Sequence, residues 1–329
     1  MKKNEIFALT LIRNVGQGTV ASVVNYMIEN SIESIQDINI DDLISNIRYG
    51  KAKKALQENL EWDTFQHYIS EADIAIEETE SKGITIVAIF EDMYPPLLKL
   101  TKSAPIFLYC KGNLSLLSSI NNVAVVGTRE NTDHGKVITE KTVSFLCEND
   151  YTIVSGLALG IDTIAHEQAL KAKGNTIAVL VDVDNIQPAS NRDLAQRIIQ
   201  AGGLLIAEEN PGIRIIPSMF AKRDRIQSGM SLAVFPIETS KDGGTMHAVK
   251  SAKEENRLIY IPDTTKSGYA DTNIKQLEGL KYLIEEKIAI PYTRNLYQEI
   301  ILQLKKKEAE LNSPPLKKNQ QTQDLGLFG

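Results

Sequence analysis

The chain has 329 residues, 43% hydrophobic and 24% charged, the proportions of a globular protein with room for an α/β domain of roughly 200 residues plus smaller additions. Its net charge of −6 excludes a protein that holds nucleic acid by bulk charge alone. No apolar run approaches the roughly 18 residues of a membrane-spanning helix, and Glu5 and Arg13 interrupt the apolar N-terminus too early for a secretory signal.

Residues 1–83 carry eight basic and fourteen acidic side chains and read as a small all-helical domain. Apolar residues recur at helical spacing in Ile6, Leu9, Leu11 and Ile12, then in Val20, Val23, Val24 and Met27. Between them, Asn14-Val15-Gly16-Gln17-Gly18 looks like a degenerate helix-hairpin-helix turn, with asparagine in place of the first glycine. An ordinary helical hairpin with a packing role explains the same residues.

Residues 84–290 are nearly neutral, with 22 basic and 24 acidic groups. They open on a strand-like run, GITIVAIF, and an extended lead-in containing YPPLL and SAPIFLYCKGN. From Asn122 to Pro262 the pattern alternates. Strands are expected at 123–126, 152–155, 176–181, 204–207, 232–235 and 258–261. Helices are expected at 134–148, 162–173, 190–201, 221–228 and 245–255. This alternation specifies a Rossmann-like, mostly parallel sheet with helices on both faces. Cys110 and Cys147 lie in apolar stretches without partner spacing, which reads as two buried reduced thiols and fits a cytoplasmic protein. Residues 291–329 hold one helix, 296–311, a polar tail with the composition of a flexible linker, and a terminal DLGLFG.

Chemistry is expected where strands end, because ligands of open α/β sheets bind there and helix N-termini attract anions. The first such loop begins Gly127-Thr128-Arg129. Gly127 lets the backbone approach a ligand, Thr128 offers a hydroxyl, and Arg129 is a bidentate donor for phosphate. A plain strand-to-helix turn would explain this loop equally well. The second loop runs Ser155-Gly156-Leu157-Ala158-Leu159-Gly160-Ile161-Asp162. Asp162 and His166 are spaced i and i+4 near Ser155, which invites a hydrolase triad; a helix cap and a surface histidine explain them more simply, since no G-x-S-x-G elbow exists. The third segment, MFAKRDRIQSGMS, gathers Lys222, Arg223 and Arg225 beside Phe220, a combination suited to neutralising phosphates and stacking bases. A solvated helix face is the alternative. Finally, Asp242-Gly243-Gly244-Thr245 opens a helix after the LAVFPIE strand and presents amides to an anion. The four histidines, His67, His134, His166 and His247, show no metal-ligand spacing, no P-loop is present, and no cofactor is implied.

Together these segments resemble the DNA processing protein A (DprA, or Smf) family. The matching text is GTR at 127–129, SGLALGID at 155–162, AHEQAL at 165–170, FAKRDRIQSGMS at 220–231 and PIETSKDGGT at 236–245, with a lead-in of YPPLLKLTKSAPIFLYCKGNLSLL. The resemblance implies a non-catalytic, Rossmann-like protein of recombination, repair or DNA uptake that binds single-stranded DNA, dimerises and helps load a RecA-type recombinase. By position, Arg129, Lys222, Arg223 and Arg225 would contact phosphates. Gly127, Thr128, Ser155, Gly156, Gly243, Gly244 and Thr245 would line the pocket. The chain departs from the family pattern at Leu159 (arginine expected), Asp224 (asparagine expected), Asp182-Val183-Asp184 and Asp263; each change removes positive charge or adds negative charge. After residue 290 nothing resembles a winged helix.

Gln323, Leu325, Leu327 and Phe328 resemble the short peptide that docks bacterial proteins on the sliding clamp, presented on a polar tether. An apolar tail folding onto its own core or a dimer mate is the alternative. Two other functions compete with DNA binding. One is a sliding-clamp adaptor. The other is a nucleotide sensor or phosphoribohydrolase-like protein, because the DGGT turn is similar to the phosphate loop of the LOG family. In that comparison Ala248 occupies the catalytic glutamate's position.

Overall fold

The computed structural model describes residues 1–48, 50–266, 269 and 274–312. Among the described residues the chain forms two compact units, one of Met1–Asp92 with Pro105–Leu108, the other of Met93–Ala104 and the described residues from Tyr109. Gln323, Leu325, Leu327 and Phe328 lie outside the described residues. No described helix is long and apolar enough to cross a membrane.

The first unit contains helices α1 (Lys3–Leu11), α2 (Gln17–Glu29), α3 (Ile40–Asn46), α4 (Gly50–Asn59) and α5 (Trp62–Ser81), followed by strand β1 (Thr85–Ala88). The helical spacing of Ile6 and Leu9, and of Val20, Val23, Val24 and Met27, buries all six. In the turn between α1 and α2, Asn14 adopts a φ of 70°, the left-handed conformation that asparagine tolerates. Gly16 is extended and caps α2, while Gly18 lies inside its first turn. Buried Glu5 accepts hydrogen bonds from the Ile35 amide at 2.7 Å and the Ser34 hydroxyl at 2.9 Å, fixing the chain after α2 to α1.

The second unit contains α6 (Pro96–Lys99), most of β2 (Phe107–Gly112), β3 (Asn122–Val126), α7 (Asp133–Cys147), β4 (Thr152–Ser155), α8 (Ile161–Lys171), β5 (Thr176–Leu180) and α9 (Arg192–Gln200). Then come β6 (Leu204–Ala207), α10 (Pro217–Gly229), β7 (Ala233–Pro236), α11 (Thr245–Glu254), β8 (Leu258–Pro262), α12 (Lys275–Glu285), β9 (Ile290–Tyr292) and α13 (Tyr297–Asn312). The strands run β2-β6-β5-β4-β3-β7-β8-β9. Those from β6 to β9 pair in parallel, and β2 runs antiparallel to β6. Central strands are buried along their whole length, as the continuous apolar runs demand of a sheet covered on both faces. Val123, Val125, Ile153 and Phe235 join a core with α7, α8 and α13, while α10 packs beside α11 and crosses β3 and β5.

Helix α10 begins at Pro217, four residues before the expected start at 221. Proline at the first helical position has the φ a helix requires and lacks only an amide that would go unused. Helix α12 and strand β9 were not anticipated. Strand β9 spans three residues and contains Pro291, so it fits only beyond β8 at a sheet edge.

Candidate nucleic-acid interface

Strand β3 has β4 on one side and β7 on the other. From β3 the chain builds outward through β4, β5 and β6; from β7 it builds the other way through β8 and β9. Loops leaving β3, β4 and β7 therefore diverge and open a crevice at the carboxyl ends of the strands. A cavity of about 400 Å³ occupies it.

The β3 loop supplies one wall. Gly127 sits so close to Ile161 that an added Cβ would come within 2.5 Å of it. The Thr128 amide donates to the Glu238 carbonyl at 2.8 Å, and its own carbonyl accepts from the Ile161 amide at 3.2 Å. The buried Glu238 carboxylate accepts from the Thr132 amide at 2.9 Å, the Thr132 hydroxyl at 2.6 Å and the Tyr269 hydroxyl at 2.7 Å. This bracing leaves Arg129 exposed at the cavity mouth. Its guanidinium carbon lies 5.8 Å over the Phe220 ring, within cation–π range, and it forms no ion pair among the described residues.

Arg223 lines the cavity but is spent inside the protein. Its Nη1 donates to the Val179 carbonyl at 3.0 Å, and its Nε lies 3.3 Å from Asp224 Oδ1. Gly156 makes room for it: a Cβ there would fall 1.6 Å from Nη1. The buried guanidinium offsets two carboxylates. Asp162 accepts from the amides of Gly156 at 3.1 Å and Ala158 at 3.4 Å, and burial raises its pKa against the pull of Arg223. Burial likewise lifts Asp224 to about 6, with Asp162 adding to the rise and Arg223 opposing it. The expectation that Arg223 is a free phosphate contact is corrected accordingly, because a buried cation facing one buried and one half-buried carboxylate is already compensated.

The β4 residues do not form a triad. The Ser155 hydroxyl is buried and donates to the Val125 carbonyl at 2.7 Å. Ser155 and Gly156 therefore underlie the pocket rather than face it, contrary to their expected place in the lining. His166 is buried, not on the surface, with Nδ1 2.8 Å from the Thr176 hydroxyl. The Thr176 hydroxyl also lies 2.9 Å from the Ile153 carbonyl, so one hydroxyl ties the imidazole to β4. Burial, with Arg223 nearby, lowers the imidazole pKa to about 3.

Lys222 and Arg225 are also displaced from their expected role. Neither lines the cavity. Lys222 Nζ lies 2.7 Å from Glu209 and 3.3 Å from Glu208, and Arg225 meets Glu208 at 2.8 and 2.9 Å. Glu208 is buried at the end of β6, where an unpaired carboxylate would be costly. The EEN following LLIA was the missed signal: two acids at the carboxyl end of a neighbouring strand face the basic helix.

The N-terminus of α11 supplies another part of the lining. Gly243, Gly244 and Thr245 line the cavity, with His247 beside them, and no acid occupies the helix's first turn. The first amides of a helix have no intrahelical partner and carry partial positive charge. Beside the main cavity a second one, of about 230 Å³, is bounded by Leu159, Pro188 and Phe220. Leu159 thus contributes apolar surface where the family pattern has charge. Among the described residues no three His, Cys, Asp or Glu side chains converge as a metal site requires.

The model of a family described as DNA recombination-mediator protein A matches residues 85–304. The chain is 32% identical over 199 residues to DNA processing protein DprA of Bacillus subtilis, covering 60% of this chain and 67% of that one. It is 39% identical over 189 residues to protein Smf of Synechocystis, covering 56% of this chain but 47% of that longer relative. Among solved structures, DprA of Streptococcus pneumoniae superposes with a TM-score of 0.72 at 28% identity, over 92% of this chain and 98% of that one. DprA of Helicobacter pylori, whose structure concerns its binding of single-stranded DNA, superposes with a TM-score of 0.58 at 28% identity, over 68% of this chain and 96% of that one.

Proposed function

This chain belongs to the DNA recombination-mediator protein A family, and on that premise we propose that it holds single-stranded DNA in the crevice at the ends of β3, β4 and β7. The observation that carries the reading is the pairing of Arg129, a cation with no ion pair among the described residues, with Phe220 in a cavity that the α11 N-terminus also lines. A phosphate is held between Arg129 and the α11 amides. The adjoining base lies against Phe220 and the apolar wall of Leu159 and Pro188. Recognition is local, because a chain of net charge −6 has no overall attraction for a polyanion.

The protein acts without catalysis in this reading. Ser155 bonds the Val125 carbonyl, His166 meets the Thr176 hydroxyl and Asp162 accepts from backbone amides, all inside the protein, and Ala248 leaves no carboxylate at the position that phosphoribohydrolases use. Its place is recombination, repair or DNA uptake. Dimerisation and loading of a RecA-type recombinase follow from the family alone, and attachment to a sliding clamp follows from the terminal peptide's resemblance.

Calorimetric titration with a single-stranded oligonucleotide, its duplex and AMP tests the reading. Binding of the single strand in preference to the duplex is expected. Binding of AMP with no binding of DNA would replace it with a nucleotide sensor.

A further inference from the structure

The cavity contains a negative charge that a site for polyanions does not need. Asp224 follows Phe220 by four residues on α10 and lines the same cavity, so both side chains face it from one side of the helix. Asp224 Oδ1 accepts from Gln227 Nε2 at 2.9 Å and lies 3.3 Å from Arg223 Nε. Its other oxygen forms no hydrogen bond among the described residues, and its side chain is 16% exposed.

An ionised carboxylate only accepts hydrogen bonds. A DNA strand's phosphates and sugars offer it no donors along the chain, so the backbone is repelled. The bases do offer donors. Guanine alone presents two adjacent ones, N1–H and N2–H₂. Adenine and cytosine each set an amino group beside a ring acceptor, and thymine holds one N3–H between two carbonyls. A base stacked on Phe220 brings its Watson–Crick edge within reach of a residue one helical turn away, the way single-stranded nucleic acids are commonly read.

We propose that Asp224 is a specificity-determining residue that selects guanine at the base position beside Phe220. This rests on the reading of the cavity as a single-strand site. Guanine's two donors satisfy the carboxylate, and every other base leaves it facing an acceptor or a lone donor. The charged and titratable groups around it are Arg223 and Arg129, Asp162 on α8, and Glu130 and His247 on the cavity rim. With Asp224 lifted to about 6, the selecting form is the one present at neutral and higher pH.

Fluorescence anisotropy with three strands tests this: one all-thymidine, one with a single deoxyguanosine, and one with a single deoxyinosine, which keeps N1–H and lacks the amino group. The deoxyguanosine strand is expected to bind about tenfold more tightly than the all-thymidine strand, with deoxyinosine between them. Asp224→Asn and Asp224→Ala should abolish most of that preference while tightening binding of the all-thymidine strand. In the unaltered protein the preference should shrink as pH falls below 6. Equal affinity for the three strands, or a preference that survives in both variants, overturns the base-reading role alone. Failure of every strand to bind overturns the single-strand site itself.

Discussion

The Arg225 guanidinium grips the Glu208 carboxylate through two nitrogens, at 2.8 and 2.9 Å. Two of the three cations on α10 that look suited to DNA are thereby neutralised, since Lys222 lies against Glu208 and Glu209. Arg225→Ala should leave the salt dependence of single-strand binding unchanged, whereas losing a true phosphate contact would reduce the slope by roughly 0.7. The same variant should lose stability on the order of 2 kcal/mol, because Glu208 stays buried with its best partner gone. Urea unfolding alongside anisotropy separates the two effects.

In the proposed site Phe220 is the stacking surface for a base. Phe220→Ala is expected to weaken single-strand binding by about 1–3 kcal/mol, and Phe220→Trp to restore it. Anisotropy at fixed salt reads both.

Gly160 has a φ of 78°, and a Cβ there would come 2.4 Å from the Thr128 carbonyl. Gly160→Ala should push away the loop that aims Arg129, lowering DNA affinity severalfold and costing about 1–3 kcal/mol of stability. Gly156→Ala should also cost stability, because the intruding methyl would have to displace the buried Arg223 guanidinium. Thermal melts and anisotropy together check both.

The pH dependence of stability has two opposing parts. Asp224 is raised from 3.8 to about 6, so the folded state binds the extra proton. Its contribution is fully present below 3.8 and is lost as pH rises through 6. His166 is lowered from 6.5 to about 3, so the unfolded state binds the extra proton, and its contribution is lost as pH falls from 6.5 toward 3. Asp224→Asn removes the first part. The variant should gain stability relative to the parent above pH 6, by up to about 3 kcal/mol, and little or none near pH 4. Thermal melts across that range, with an unchanged difference between parent and variant, would contradict the assignment.

The sheet was legible in the sequence because buried parallel strands are unbroken apolar runs, and 152–155 and 204–207 coincide with β4 and β6. Strand β9 was not legible: Ile-Pro-Tyr is too short to show a period. Leu277, Leu280 and Leu283 of α12, all buried and three residues apart, were a signal that could have been read. At the site, Gly127, Thr128, Arg129, Phe220, Gly243, Gly244 and Thr245 converge as their loops suggested. The cations of α10 misled because sequence spacing gives the face of a helix, while the partner on that face comes from a distant strand. Glu208 is 17 residues from Arg225, and Glu238, which braces the Arg129 loop, is 106 residues from Thr132.

The most direct measurement is the salt dependence of single-stranded DNA affinity for the unaltered protein and for Arg129→Ala. If the crevice holds the strand through Arg129, the variant should bind at least about tenfold more weakly at low salt, with a slope shallower by roughly 0.7. Identical affinity and slope in the two proteins would place DNA binding elsewhere on the molecule and contradict the account.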